Sequence, residues 1–99
     1  MRFLLKIHMP VEKGNRALRD GSLPKIIQNL MEKLKPEASY FFAEGGKRTG
    51  YIFFSFDNVL EIPVIAEPLF MGLDAELELI PVMNADELKA GIEKASKNF

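Results

Sequence analysis

Ionisable side chains recur at every second position near both ends of the sequence, a spacing that places them on one face of a strand. Lys6 and His8 form one such pair, and Glu76 and Glu78 form the other. If the two segments are antiparallel neighbours, a basic side chain lies opposite a carboxylate. One interpretation of this pattern is a proton-transfer site, with His8 as acid or base and Glu78 tuning it. The alternative interpretation is a pair of ordinary surface salt bridges, because a lone histidine is weak evidence for catalysis.

Further polar side chains are candidates for binding a small ligand beside His8. Tyr51 and Ser55 alternate with apolar residues in one segment, so they share a strand face. If that face also carries Lys6, the Tyr51 hydroxyl can bond a carbonyl or carboxylate group. Lys6, Tyr51, Ser55 and Glu76 are therefore the ligand-binding candidates. Aromatic packing of Tyr51 between two subunits is the alternative.

The composition excludes several kinds of site. The 99 residues include no Cys and one His, which rules out disulfides, Cys-ligated zinc, iron–sulfur clusters, thiol catalysis and multi-His metal sites. Thirteen basic and fourteen acidic residues give a formal net charge of −1, which offers no electrostatic attraction for nucleic acid or an anionic membrane. We therefore expect no metal, no cofactor, no nucleic-acid partner and no membrane partner.

Two basic segments contain glycine, a combination that can bind anions. Gly-Gly-Lys-Arg at 45–48 precedes a strand rather than a helix, so it is interpreted as a hairpin turn with a basic tip. Residues 11–22 are predicted to form a long loop with at most one irregular helical turn. The loop contains three basic residues that could bind an anionic ligand, and this interpretation stays open. They are Lys13, Arg16 and Arg19.

Apolar periodicity predicts four strands and three helices in a single domain of residues 1–99. The strands are predicted at 2–9, 38–44, 51–56 and 76–82, and the helices at 22–35, 58–71 and 85–97. No segment has the roughly 18 uncharged apolar residues of a membrane span, and the N-terminus lacks a signal-peptide pattern. We therefore expect a cytoplasmic protein.

Capping and breaking residues set the predicted helix ends. Ser22 is a suitable N-cap for the first helix. Pro63 and Pro68 fall inside the second helix and predict a kink or an interruption. Asn84 followed by Glu87 predicts a capping box at the start of the last helix.

The predicted order β-α-β-β-α-β plus a C-terminal helix indicates an α+β, ferredoxin-like fold, with a four-stranded antiparallel sheet and helices on one face. Neighbouring aromatic residues, Phe41 with Phe42 and Phe53 with Phe54, must point to opposite faces. The helix-free face would then expose rings that a monomer rarely tolerates, which favours a homodimer, or a multiple of it, with that face enclosed. A C-terminal helix folded over this face in a monomer is the alternative.

Several segments resemble proteins of the dimeric α+β barrel superfamily. Glu-Pro-Leu-Phe-Met-Gly-Leu-Asp-Ala-Glu-Leu at 67–77 and Met-Arg-Phe-Leu-Leu-Lys-Ile at 1–7 are similar to segments of muconolactone isomerase and its relatives. Lys-Pro-Glu-Ala at 35–38, Gly-Lys-Arg-Thr-Gly at 46–50 and Ile-Pro-Val-Ile-Ala-Glu-Pro at 62–68 look closer to small uncharacterised bacterial proteins of that superfamily.

The resemblance implies a ferredoxin-like dimer without fixing its activity. Superfamily members include isomerases, cofactor-free monooxygenases, haem binders and proteins with no known activity. Leu4 stands where the isomerase resemblance leads us to expect a His, which counts against the same reaction. Two hypotheses follow: a dimer that binds a small, partly apolar organic molecule, as an isomerase or cofactor-free monooxygenase would, and a non-enzymatic dimerisation module.

Overall fold

The structure is a computed structural model that describes all 99 residues. Its elements, in chain order, are β1 (Arg2–His8), α1 (Val11–Asp20), α2 (Ser22–Leu34), β2 (Ala38–Glu44), β3 (Lys47–Ser55), α3 (Glu61–Leu73), β4 (Glu76–Pro81) and α4 (Ala85–Ser96). None of the helices has both the length and the apolar content that crossing a bilayer requires.

The four strands form one antiparallel sheet in the order β2-β3-β1-β4. This order confirms the ferredoxin-like α+β fold with an added C-terminal helix. β1 is central, and Lys6 lies opposite Tyr51 of β3 on one side and Glu78 of β4 on the other. The predicted neighbours of β1 are therefore its actual neighbours.

The core lies between one face of the sheet and the helices α2 and α3. Alternate residues of β1 and β3 point into it, as the period of two requires. The buried side chains that make up most of this core are Leu5, Ile7, Ile52, Phe54, Leu30, Leu34, Ile65, Leu69 and Leu73. The two helices approach closely at Gly72, where an added Cβ would lie 2.7 Å from Cδ1 of Ile26.

The segment predicted as a long loop is instead the helix α1, which starts after Pro10 and ends at Gly21 (φ 82°). Gly14 and Ala17, one turn apart, are its buried residues. The segment is polar overall and contains an internal glycine, so its composition favours a loop over a helix. Ser22 is the first residue of α2 and not its cap; its amide donates to Oδ1 of Asp20 at 2.8 Å.

The helix α3 runs continuously from Glu61 to Leu73 through Pro68, so the interruption that the two prolines predict does not occur. Proline has no amide hydrogen, so it leaves the carbonyl of Val64, four residues earlier, without its helical donor. Nζ of Lys33, from α2, donates to that carbonyl at 3.2 Å. Pro63 lies in the first turn, where no donor is needed. The unpaired carbonyl is thus satisfied from the neighbouring helix.

The C-terminal helix α4 begins at the predicted capping box but packs against no core. The amide of Glu87 donates to Oδ1 of Asn84 at 2.8 Å, and the amide of Asn84 donates to Oε1 of Glu87 at 2.9 Å. Arg2 also binds the Glu87 carboxylate. No residue of α4 is buried, and Leu88 and Ile92 of its apolar stripe are about half exposed. The helix therefore does not cover the sheet within one chain.

Candidate functional site

The sheet face opposite the helices, called the open face below, combines aromatic rings with ionisable groups. The register assigns it these residues: Arg2, Leu4, Lys6 and His8 of β1; Tyr40, Phe42 and Glu44 of β2; Thr49, Tyr51, Phe53 and Ser55 of β3; Glu76, Glu78 and Ile80 of β4. Tyr40 is 62% exposed and Phe42 is 40% exposed. This face therefore holds both the apolar surface and most of the chemistry-bearing side chains.

The glycine turn between β2 and β3 brings Glu44 to the same end of the sheet as His8. Gly45 and Gly46 both have positive φ angles (60° and 77°), a conformation that suits a two-residue hairpin. Thr49 of β3 is opposite His8 on one side and Phe42 on the other, and it is buried. Nε2 of His8 lies 2.9 Å from Oε2 of Glu44, so the two side chains meet across β3.

Tyr51 and Lys6 complete this group, which we call the His8 cluster (Lys6, His8, Glu44 and Tyr51). The Tyr51 hydroxyl donates to Oε2 of Glu44 at 3.2 Å. Nζ of Lys6 lies 5.1 Å from the centre of the Tyr51 ring, within the range of a cation–π interaction. The Phe42 ring meets the Tyr51 ring edge-on, with 4.9 Å between centres. An apolar ring thus borders the polar cluster.

The other predicted site residues lie at different distances from this cluster. Glu76 and Glu78 are opposite His8 and Lys6 in register, and with His8 and Glu44 they line a surface cavity of about 300 Å³. Neither carboxylate forms an ion pair with His8 or Lys6; the partner of His8 is Glu44, so the predicted pairing is wrong. Ser55 is opposite Arg2, at the far end of β1, and is not part of the cluster.

Glu44 is the cluster residue that the sequence reasoning missed. It ends the predicted strand 38–44 and carries no motif of its own. Counting back from a two-residue turn at Gly45 and Gly46 aligns Phe42 with Thr49, and therefore places Glu44 beside the end of β1. The position of the glycine turn was therefore the feature of the sequence that could have identified Glu44.

The ionised state of Glu44 determines which ring nitrogen carries the hydrogen when the His8 imidazole is neutral. The hydrogen bond from His8 is the largest cause that lowers the pKa of the Glu44 carboxyl, and the Tyr51 hydroxyl and the Lys6 charge lower it further. Glu44 is therefore ionised at neutral pH and can only accept hydrogen bonds. In a neutral imidazole, Nε2 must then carry the hydrogen, which leaves Nδ1 unprotonated. The Glu44 carboxylate therefore orients the imidazole and leaves Nδ1 free to accept a hydrogen bond.

Replacing His8 with alanine is expected to raise the pKa of Glu44 towards its ordinary value of 4.5, because the main stabilising hydrogen bond is lost. Carbon-detected NMR titration of the Glu44 carboxyl measures this change, and Tyr51→Phe should give a smaller rise. The lowered pKa in the folded chain means that these bonds stabilise the fold above pH 4.5, and the stabilisation disappears as pH falls through the folded pKa. A Glu44 titration that is identical in wild type and His8→Ala would contradict the assignment.

No group of three or more His, Cys, Asp or Glu side chains is arranged to hold a metal ion.

The chain matches neither a protein-family model nor a curated protein. The similarity to muconolactone isomerase and to the dimeric α+β barrel superfamily therefore remains a prediction, and the geometry of the open face carries the functional argument.

Proposed function

We propose that this protein is a homodimer that binds a small, partly apolar organic molecule on the open face, beside the His8 cluster. The observation that carries the proposal is the placement of an oriented imidazole next to exposed aromatic rings. Small-molecule sites combine a mostly apolar wall with a few convergent polar groups. Phe42 and Tyr51 supply such a wall, and His8 with Glu44 supplies the polar groups.

Two unpartnered apolar surfaces support a second copy as the cover of this site. The open face exposes Tyr40 and Phe42, and α4 exposes Leu88 and Ile92. A helix of 12 residues that buries none of its side chains is marginal in water, so α4 needs a partner for its apolar stripe. Joining the same surfaces of two copies through a two-fold axis would bury both.

Charge complementarity supports α4 of one copy lying along the open face of the other. Arg2 of the open face binds Glu87 in the first turn of α4, so the helix begins at the Arg2 end of the sheet, opposite the His8 end. At about 1.5 Å per residue, α4 spans about 18 Å, comparable to the length of one strand. Its far end carries Lys94 and Lys97, and the far end of the open face carries glutamates, including Glu76.

The His8 cluster supports proton transfer as the chemistry on the bound molecule. Nδ1 of His8 would accept a proton from an acidic C–H next to a carbonyl group, and Glu44 would stabilise the imidazolium that forms. The Tyr51 hydroxyl is placed to donate to a developing oxyanion when it turns from Glu44. Returning the proton to another carbon gives an isomerase; reaction of the carbanion with dioxygen gives a cofactor-free monooxygenase.

Sedimentation velocity at micromolar concentration tests the assembly, and the expected species is a dimer of the 11.2 kDa chain or a multiple of it. A stable monomer that binds no apolar dye would overturn the dimer. Incubation with small aryl ketones in D₂O, followed by proton NMR, tests the chemistry. We expect exchange of the acidic C–H with wild type and its loss with His8→Ala.

The outcomes of the ketone experiment separate the two functional hypotheses. Exchange that persists in His8→Ala would contradict the role of His8 as the base. A dimer whose open-face resonances do not respond to any ketone would overturn the ligand proposal. It would favour the alternative, a non-enzymatic dimerisation module whose enclosed face is filled by its own side chains.

A further inference from the structure

A second cavity lies between α2 and the β2–β3 hairpin, and its lining is almost entirely apolar. Its volume is about 390 Å³. Leu23 and Ile27 of α2 line one side of the cavity, and Met9 and Phe41 also line it. Arg48 is the only charged residue in the lining. The nitrogens of its guanidinium lie against Gly14 and Asn15 of α1, beside this lining, so a ligand with an apolar body in the cavity would extend one negative group towards α1.

Arg48 has no acidic partner in the structure. Its Nη2 atom donates to Oδ1 of Asn15 in α1 at 3.1 Å, which is a bond to a neutral amide. The ion pairs of the chain involve the N-terminus, Arg2 and His8, and none involves Arg48. The charge of Arg48 is therefore oriented by α1 but not neutralised.

Gly14 provides the space in which the guanidinium lies. A Cβ atom at position 14 would be 2.8 Å from Nη1 of Arg48, too close for the observed position. Glycine inside a helix costs about 1 kcal/mol relative to alanine, so local helix stability does not explain it. Gly14 and Asn15 are adjacent in α1, and together they hold Arg48 against the helix.

We propose that this cavity binds a small apolar carboxylic acid, with the carboxylate on Arg48 and the apolar body between Leu23, Ile27 and Phe41. Arginine binds carboxylates through two parallel hydrogen bonds, which adds geometric selectivity to charge. A volume of about 390 Å³ is near the lower end of the range for small-molecule sites, which suits a monocyclic or medium-chain acid. The lining shares Phe42 and Thr49 with the open face, whereas His8, Glu44 and Tyr51 lie outside it.

Titration with phenylacetate, followed by amide NMR and calorimetry, tests the site, with phenylacetamide as the uncharged probe of the same shape. We expect shift changes at Met9, Leu23, Phe41 and Arg48. Loss of a charged hydrogen bond weakens binding by about tenfold to a hundredfold, so the amide and Arg48→Gln should each show that loss. Arg16→Gln is the matched control, because Arg16 is an exposed arginine on α1 outside the cavity lining.

Gly14→Ala tests the position of the charge while the charge is kept. The added Cβ should displace the guanidinium from Asn15, since the end of the Arg48 side chain can move, and phenylacetate affinity should fall about tenfold. Gly91→Ala in α4 is the control, because nothing lies within 4 Å of a Cβ there.

Three outcomes would overturn this proposal and leave the open-face proposal intact. The first is no shift change in wild type at millimolar phenylacetate. The second is equal affinity for the acid and the amide. The third is a set of shift changes confined to Lys6, His8 and Tyr51, which would place the acid on the open face instead. The wild-type experiment decides the matter even if Arg48→Gln does not fold.

Discussion

Replacing Phe54 with alanine is expected to lower the free energy of unfolding by about 3–5 kcal/mol. Phe54 is 1% exposed and is one of the largest buried side chains in the core. Its ring stacks on Phe56 with 5.6 Å between centres and also contacts the Phe3 ring. Removing it creates a cavity that the sheet cannot close, because β3 is held on both sides by other strands. Urea unfolding followed by circular dichroism measures the loss.

Phe53 provides a matched control for this substitution. It precedes Phe54 in β3 and points to the open face, where it is only partly buried in one chain. Phe53→Ala should therefore cost clearly less than Phe54→Ala in dilute solution. Its effect should grow with protein concentration, because Phe53 lies in the proposed dimer interface. Equal losses for the two variants would mean that the assignment of the two sheet faces is wrong.

Ile92→Glu is expected to convert the dimer into a monomer at micromolar concentration. Ile92 is 55% exposed within one chain, so a carboxylate there is tolerated in the monomer. In the proposed dimer it would be buried against the partner without a compensating charge, and by symmetry this would occur twice. An unpaired buried charge costs several kcal/mol, which corresponds to dimerisation weakened by more than about a hundredfold. Sedimentation equilibrium of the variant measures the change.

Ala90→Glu is the control, because residue 90 lies on the side of α4 away from Leu88 and Ile92. It introduces the same charge into the same helix and should leave the dimer intact. If Ile92→Glu also sediments as a dimer, α4 does not contribute to the interface. If Ala90→Glu dissociates as well, charge on α4 matters rather than its apolar stripe.

The fold could be predicted from the sequence where the local patterns are strong. Alternation of polar and apolar residues along most of β1 and β4 identified the strands and both faces of the sheet, and Asn84 with Glu87 marked the start of α4. The helix α1 could not be predicted in this way. Its sequence is polar overall, and its two buried residues, Gly14 and Ala17, bury little apolar area, so composition favoured a loop.

The candidate site could be predicted only in part, for a different reason. Alternation placed Lys6, His8 and Tyr51 on the same face, because the face of a residue depends on its own strand. The choice of Glu44 over Glu76 as the partner of His8 depends on reach across β3. Glu76 is the direct neighbour in register, and no rule of strand spacing selects the more distant carboxylate.

The bond from Lys33 to the carbonyl of Val64 couples two positions on different helices energetically. With proline at 68, that carbonyl has no backbone donor, and Lys33 of the neighbouring helix supplies one. With alanine at 68, the helix would supply the donor from its own backbone. The free-energy cost of losing lysine at 33 therefore depends on whether residue 68 is proline, although neither residue lies near the open face.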